Sequence, residues 1–152
     1  MAFDDLQWLG ETAGAELLGQ RFLKALPAPP LAVSMDVLNR TSTPLNTRII
    51  SDTFRNVLLN SGRMRFVNNA DRDALLHNAG QSTVTMNIDA RLAAGKKLGA
   101  RYVCHGWLTE TRDLRANQRG ECHYQLAIEL TEVASGLVIW STKKERRIAL
   151  LP

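Results

Sequence analysis

The amino-acid sequence predicts an α/β (α+β) fold: a single mixed, largely antiparallel sheet with flanking helices. Two observations carry this. Apolar periodicity runs helix, strand, helix, strand, helices and then three strands, which is one sheet with helices to cover it. The last strands follow one another directly, and one joint is the tight turn Ala134-Ser135-Gly136, so they read as an antiparallel meander. The 152 residues suit one domain spanning 1–152, with an N-terminal helix over about 4–26 and an α/β core over about 31–148. An apolar fraction of 45% and a charged fraction of 22% exclude a disordered chain, a collagen or a coiled coil.

Asp4 to Leu26 reads as an amphipathic helix, because Leu6, Leu9, Ala13, Leu17 and Phe22 recur near helical spacing. Asp4 and Asp5 suit its positive N-terminal end. Trp8 falls off this stripe, and Pro27-Ala28-Pro29-Pro30 stops the helix. Leu31 to Leu38 alternates as a strand, with Leu31, Val33, Met35 and Val37 on one face. A polar loop, 39–45, leads to a helix over 46–61 with Asn46 as N-cap and Ile50, Phe54, Val57 and Leu58 buried. The first strand–helix–strand unit, closed by a short strand over Met64–Val67, fits a right-handed crossover. Short helices follow over Asn69–Gly80 and Ile88–Leu98, the second closed by Gly99. Tyr102–Thr109 is a strand, Glu110–Gly120 a charged connection, and Glu121–Val133 a strand with Cys122, Tyr124, Leu126, Ile128 and Leu130 on one face. Leu137–Thr142, continuing toward Ile148, is the last strand.

No phosphate-cradling, dinucleotide-binding, zinc-hydrolase or nucleophile-elbow motif occurs in the sequence. Cys104-His105 and Cys122-His123 offer four zinc-type donors. Adjacent strand residues point to opposite faces, so each face holds at most two of them. The same divergence works against a Cys–His nucleophile, which needs thiolate and imidazole within hydrogen-bond reach. The favoured picture puts both cysteines in the core and both histidines on the other face. A Cys104–Cys122 disulfide requires that the two pair directly across the strands, and the connection leaves their register open. His77 reads as a surface residue. Trp107 and Trp140 are either core residues or aromatic anchors at an interface. The reading is of a non-enzyme with no catalytic residue, no cofactor and no metal.

The net charge is +4 and the pI about 9.4. The basic groups are scattered: Lys96 and Lys97, then Arg112, Arg115 and Arg119, then Lys143, Lys144, Arg146 and Arg147. They read as solvated faces and hairpin tips, or as attraction to an acidic protein or envelope surface, and nucleic acid is not expected. No apolar run reaches the roughly 18 residues of a membrane helix. Met1 to Asp5 lacks the basic and apolar regions of a signal peptide, and two cysteines fit either redox compartment.

Four stretches resemble one family. They are Val37-Leu38-Asn39-Arg40-Thr41-Ser42, the helix 46–61 with Phe54-Arg55-Asn56-Val57-Leu58, the run from Ala93 to Val103, and the run from Glu132 to Ser141. In order and spacing, from about Trp8 to Thr142, they resemble the LpoB family of outer-membrane lipoprotein activators of a class A penicillin-binding protein. The resemblance implies a non-catalytic periplasmic regulator that docks onto and activates a peptidoglycan synthase, in a fold shared with the curli-secretion lipoprotein and the TolB N-terminal domain. It implies membrane attachment only through an N-terminal lipid, on a segment this sequence lacks. The partner is a class A penicillin-binding protein or another envelope protein. The partner-binding candidates are Asn39, Arg40 and Thr41 in the loop, Arg55 on the helix, Arg101 and His105 at the strand from Tyr102, and Trp140. His105 matches a family position associated with an aromatic partner contact. The alternative is a subunit of an envelope assembly or secretion complex, although a curli-type pore needs membrane-crossing hairpins and the 110–120 connection is short and charged.

Overall fold

A computed structural model describes residues 1–83, 86–113 and 120–149 of the chain. The elements are α1 (Phe3–Leu18), α2 (Arg21–Lys24), β1 (Leu31–Ser34), β2 (Leu38–Asn39), α3 (Arg48–Asn60), β3 (Arg65–Phe66), α4 (Asn69–Asn78), α5 (Ile88–Lys97), β4 (Tyr102–Asp113), β5 (Glu121–Glu132) and β6 (Val138–Ala149). One mixed sheet runs in the order β3-β1-β4-β5-β6, with β2 also pairing β4. β1 lies parallel to β3 and to β4, and β4, β5 and β6 are antiparallel neighbours. The predicted mixed sheet and meander are therefore present.

Each face of the sheet has its own core. Alternation along β4 sends Tyr102, Cys104 and Leu108 to one side, where they meet Leu9, Leu17, Ile50, Phe54 and Leu58 of α1 and α3. Val103 goes to the other side and packs with Val33, Met35, Leu76 and Ala94 beneath α4 and α5. β5 keeps its expected alternation, with Cys122, Tyr124, Leu126, Ile128 and Leu130 all buried.

Four elements differ from expectation, each for a local reason. The helix expected over 4–26 breaks at Gly19 and Gln20, where Gln20 is extended; glycine is a poor helix former, and the break lets Leu23 of α2 enter the core. The strand expected over 31–38 divides into β1 and β2. The Val37 N–H donates to Ser51 Oγ at 2.7 Å, and Thr47 Oγ1 donates to the Val37 carbonyl at 2.6 Å. With its backbone taken by α3, Val37 packs in the α1–α3 core, opposite Val33 and Met35. The N-cap position of α3 is Thr47 rather than Asn46. β4 continues to Asp113, beyond the expected Thr109, so the connection is shorter than 110–120; Arg115 and Arg119 lie outside the described residues.

The α1 stripe contains Gly10 and Gly14, which the apolar pattern passes over. A Cβ on Gly10 would stand 2.7 Å from the Ile50 carbonyl oxygen, and one on Gly14 would stand 2.9 Å from Val57 Cβ. These glycines bring α1 against the α3 backbone, so the two helices bury a common layer. Gly10→Ala is expected to lower unfolding stability by about 1–3 kcal/mol through overpacking. Gly19→Ala, where a Cβ meets nothing closer than 3.4 Å, leaves stability unchanged or slightly raised. Urea titration of both variants checks this, and equal midpoints would refute the close-approach account.

Candidate functional site

The segment after β2 folds back onto β4. Asn39 Oδ1 accepts hydrogen bonds from the Thr41 N–H at 3.0 Å and the Thr41 hydroxyl at 2.6 Å, while Asn39 Nδ2 donates to the Thr43 carbonyl at 2.8 Å. This is the local side-chain-to-backbone bonding that makes asparagine a turn residue. The Arg40 N–H donates to the Leu108 carbonyl at 2.8 Å. Glu110 ties down the tip: its carboxylate accepts from the Ser42 N–H at 2.6 Å and from the Ser42 hydroxyl. Those two bonds, the hydroxyl's first, hold the Glu110 carboxyl below its ordinary range. Between β2 and the start of α3 lies an open groove of about 480 Å³, lined by Asp36, Arg40, Leu45, Asn46, Thr47 and Arg48.

Beside this loop is the outward face of the meander. His105 and Trp107 stand on it, with ring centroids 6.0 Å apart. The register sets Ala127 and then Lys143 beside Trp107, and Glu129 and then Ser141 beside His105. Ala127 presents only a methyl group, so the half-exposed indole has no bulky neighbour on β5. The Arg40 guanidinium lies over the indole ring, 5.3 Å from its centroid, a cation–π arrangement. Between the two aromatic residues, a Cβ on Gly106 would stand 2.4 Å from the Ala127 carbonyl oxygen, so only glycine permits this strand spacing.

His105 Nε2 lies 3.1 Å from Glu129 Oε1, and its Nδ1 is buried without a hydrogen-bond partner. Burial first, and then the Arg91 charge, push the His105 pKa below its ordinary value; the Glu129 carboxylate opposes them and is outweighed. Burial also lowers the Arg91 pKa, against the pull of Glu129. The balance favours the neutral imidazole over the charged one, beside a carboxylate and a guanidinium.

Of the residues the sequence singled out, Asn39, Arg40, Thr41 and His105 come together around Trp107. Arg101 stands over the Tyr102 ring at the opposite end of β4, four residues or roughly 13 Å from His105. Arg55 lies over the Phe66 ring on the α3 side. Trp140 is 8% exposed, in the α1–α3 core, stacked on Phe54 with centroids 6.4 Å apart; it is a packing residue in this fold and not a surface anchor. Cys104 and Cys122 are both free and buried, and they pair with Leu130 and Arg112 across the β4–β5 ladder rather than with each other. Burial pushes the Cys104 thiol up to about 12. His77 is exposed on α4. Sequence reading passed over Glu129, Arg91 and Glu110; the β4–β5 register would have placed Glu129 opposite His105, but the connection length left that register open.

The family model described as peptidoglycan-synthase activator LpoB matches residues 5–146. The C-terminal domain of LpoB from Salmonella enterica is 22% identical with a TM-score of 0.73, over 93% of this chain and 98% of that one. The corresponding Escherichia coli domain is 22% identical with a TM-score of 0.69, over 90% and 97%. Lipoprotein GNA1162 from Neisseria meningitidis is 15% identical with a TM-score of 0.62, over 80% and 84%. At these identities the solved structures speak for the fold. No curated protein matched the chain. The chain belongs to the LpoB family, whose members are activators rather than catalysts.

The buried imidazole gives a pH signature. Its folded pKa is lowered from 6.5, so as pH falls below 6.5 the unfolded chain takes up the proton first and stability drops. The carboxyls of Asp5, Glu16 and Glu110, lowered in the folded state, add stability that is lost only below their ordinary values of 3.8 and 4.5. His105→Gln is therefore expected to flatten the fall in Tm between about pH 7 and 5 and to leave the steeper acid limb in place. Parallel profiles for the variant and the parent would refute this.

Proposed function

We propose that this member of the LpoB family is a non-catalytic periplasmic regulator that docks onto a class A penicillin-binding protein and activates its peptidoglycan synthesis. The contact surface is the loop after β2 together with the outward face of β4: Asn39, Arg40, Thr41, His105 and Trp107. The observation that carries this reading is the half-exposed Trp107 beneath Arg40, on a sheet face where its cross-strand neighbour is an alanine. Trp and Arg are the residue types that dominate interface energetics, and they act best where the surrounding surface is already fixed. Here Asn39, Ser42 and Glu110 fix the loop through their hydrogen bonds before any partner arrives.

Activation by docking needs no bond-making chemistry on this chain. A partner that seats an apolar or acidic group against the indole–guanidinium pair shifts its own equilibrium by its preference for the bound state. Attachment to the outer membrane would come through a lipid on a segment outside this chain, as the family resemblance implies.

Titration calorimetry against a purified class A penicillin-binding protein tests the reading. Micromolar binding is expected, with Trp107→Ala weakening it at least tenfold, on the scale of an interface hot spot of about 2 kcal/mol. Arg40→Glu should weaken it and change its salt dependence, whereas Glu11→Gln, an exposed position on α1, should leave it unaltered. Absence of binding by the parent chain, or full binding by Trp107→Ala, would count decisively against this surface.

A further inference from the structure

Several cations of this chain are held by carboxylates. Arg48 and Arg72 pair with Asp36, Lys144 with Glu16, and Arg146 with Asp5, which also brings Arg146 over the Trp8 ring. At the end of the sheet away from the docking loop, Lys24, Arg63, Arg65, Lys96, Lys97 and Arg101 are all exposed, and among the described residues none forms an ion pair with a carboxylate. Their placement follows from the strand register. Arg65 pairs with Leu31, the Arg101 N–H donates to the Leu31 carbonyl, and the Val133 N–H donates to the Arg101 carbonyl. The Glu132 N–H donates to the Leu137 carbonyl, which completes a row across five strand ends, roughly 19 Å wide at ordinary strand spacing. Arg63 and Lys24 line one shallow hollow at the edge of this row, beside Pro27 and Pro29. Lys96 and Lys97 end α5 immediately before β4. One carboxylate, Glu132, interrupts the row, half-buried opposite Tyr102.

The same end carries an apolar tip. Leu137, Val138 and Ile139 are 64%, 44% and 36% exposed. Ile139 is the extra residue of a bulge, since Leu130 pairs with Trp140 and Thr131 with Val138. A bulge re-aims the side chains around it, and here it leaves three consecutive apolar residues in solvent at the turn of a hairpin.

From this juxtaposition of unpaired cations and a projecting apolar tip, we infer that this end of the protein binds the surface of a bilayer carrying anionic headgroups. The cations form a broad, shallow array, which suits many weak contacts to dispersed headgroups better than one keyed contact to a folded partner. The tip is convex and narrow, the form that enters the boundary between headgroups and acyl chains. Basic residues near an anionic leaflet each add a modest, salt-screened attraction. The site lies at the end of the sheet opposite the docking loop and does not use Arg40, His105 or Trp107.

Co-sedimentation of the chain with vesicles of phosphatidylglycerol in phosphatidylcholine tests this. The protein should pellet with these vesicles and not with pure phosphatidylcholine, and salt should release it. Arg63→Gln with Arg65→Gln should lower the partition coefficient about five-fold for each cation removed. Leu137→Ser with Val138→Ser should lower it further. Both pairs are exposed, and unchanged far-ultraviolet circular dichroism confirms that they fold. Failure of the parent chain to pellet at low salt would overturn the inference. So would binding that ignores the Leu137 and Val138 changes and is displaced by soluble polyglutamate, an outcome that assigns the end to an acidic protein.

Discussion

The backbone of Val37 is the point on which the arrangement turns. Its N–H and carbonyl are both taken by side chains at the start of α3, Ser51 within it and Thr47 at its N-cap. A residue whose polar backbone is satisfied sideways cannot take part in a strand ladder, so β1 ends at Ser34. The chain steps off the sheet, contributes Val37 to one core after Val33 and Met35 have filled the other, and returns as β2 farther along β4. That step carries Asn39 and Arg40 to the flank of Trp107. A continuous strand from Leu31 to Leu38 would have kept the alternation and would have aimed the loop elsewhere.

Burial beneath this step is completed by a charge. Arg72 of α4 is 2% exposed, donates to the Ser34 carbonyl where β1 ends, and is paired with Asp73 at 2.9 Å and with Asp36 at 3.8 Å. An ion buried there is tolerated only with its partners in place. Asp36 also receives Arg48 at the start of α3 and the Thr83 hydroxyl. Both termini of the β1–β2 step are thereby tied, one to α4 and one to α3.

What the sequence made legible follows the range of the interactions concerned. The alternation of β5 was readable because one face is apolar over its whole length, and the meander because its second turn is short and local. The division of the first strand was not readable, since its cause lies 10 and 14 residues downstream in Thr47 and Ser51. Gly10 and Gly14 looked neutral in a helical pattern and take on meaning only against α3. For the surface, Asn39, Arg40, Thr41 and His105 could be gathered from their motif. The approach of Arg40 to Trp107 depends on parallel pairing between β2 and β4, which no local pattern encodes. The sequence leaves Trp140 open between anchor and core, because aromatic anchors and aromatic core residues share one sequence signature. Its low exposure and its stacking on Phe54 place it in the core here.

The position of the two thiols has a consequence for how the protein is made. Cys104 lies opposite Leu130, whereas Cys122 lies opposite Arg112, eight residues along the same strand, a separation of roughly 27 Å. A disulfide needs α-carbons within about 7 Å, so the finished protein cannot crosslink itself, whatever oxidant surrounds it. The unfolded chain lacks that constraint, because closing a loop from Cys104 to Cys122 carries only a modest entropic cost. In an oxidising compartment, maturation is therefore a race. A chain that zips β4 onto β5 first holds the sulfurs apart for as long as it stays folded, and a disulfide formed first is incompatible with this register until it is broken.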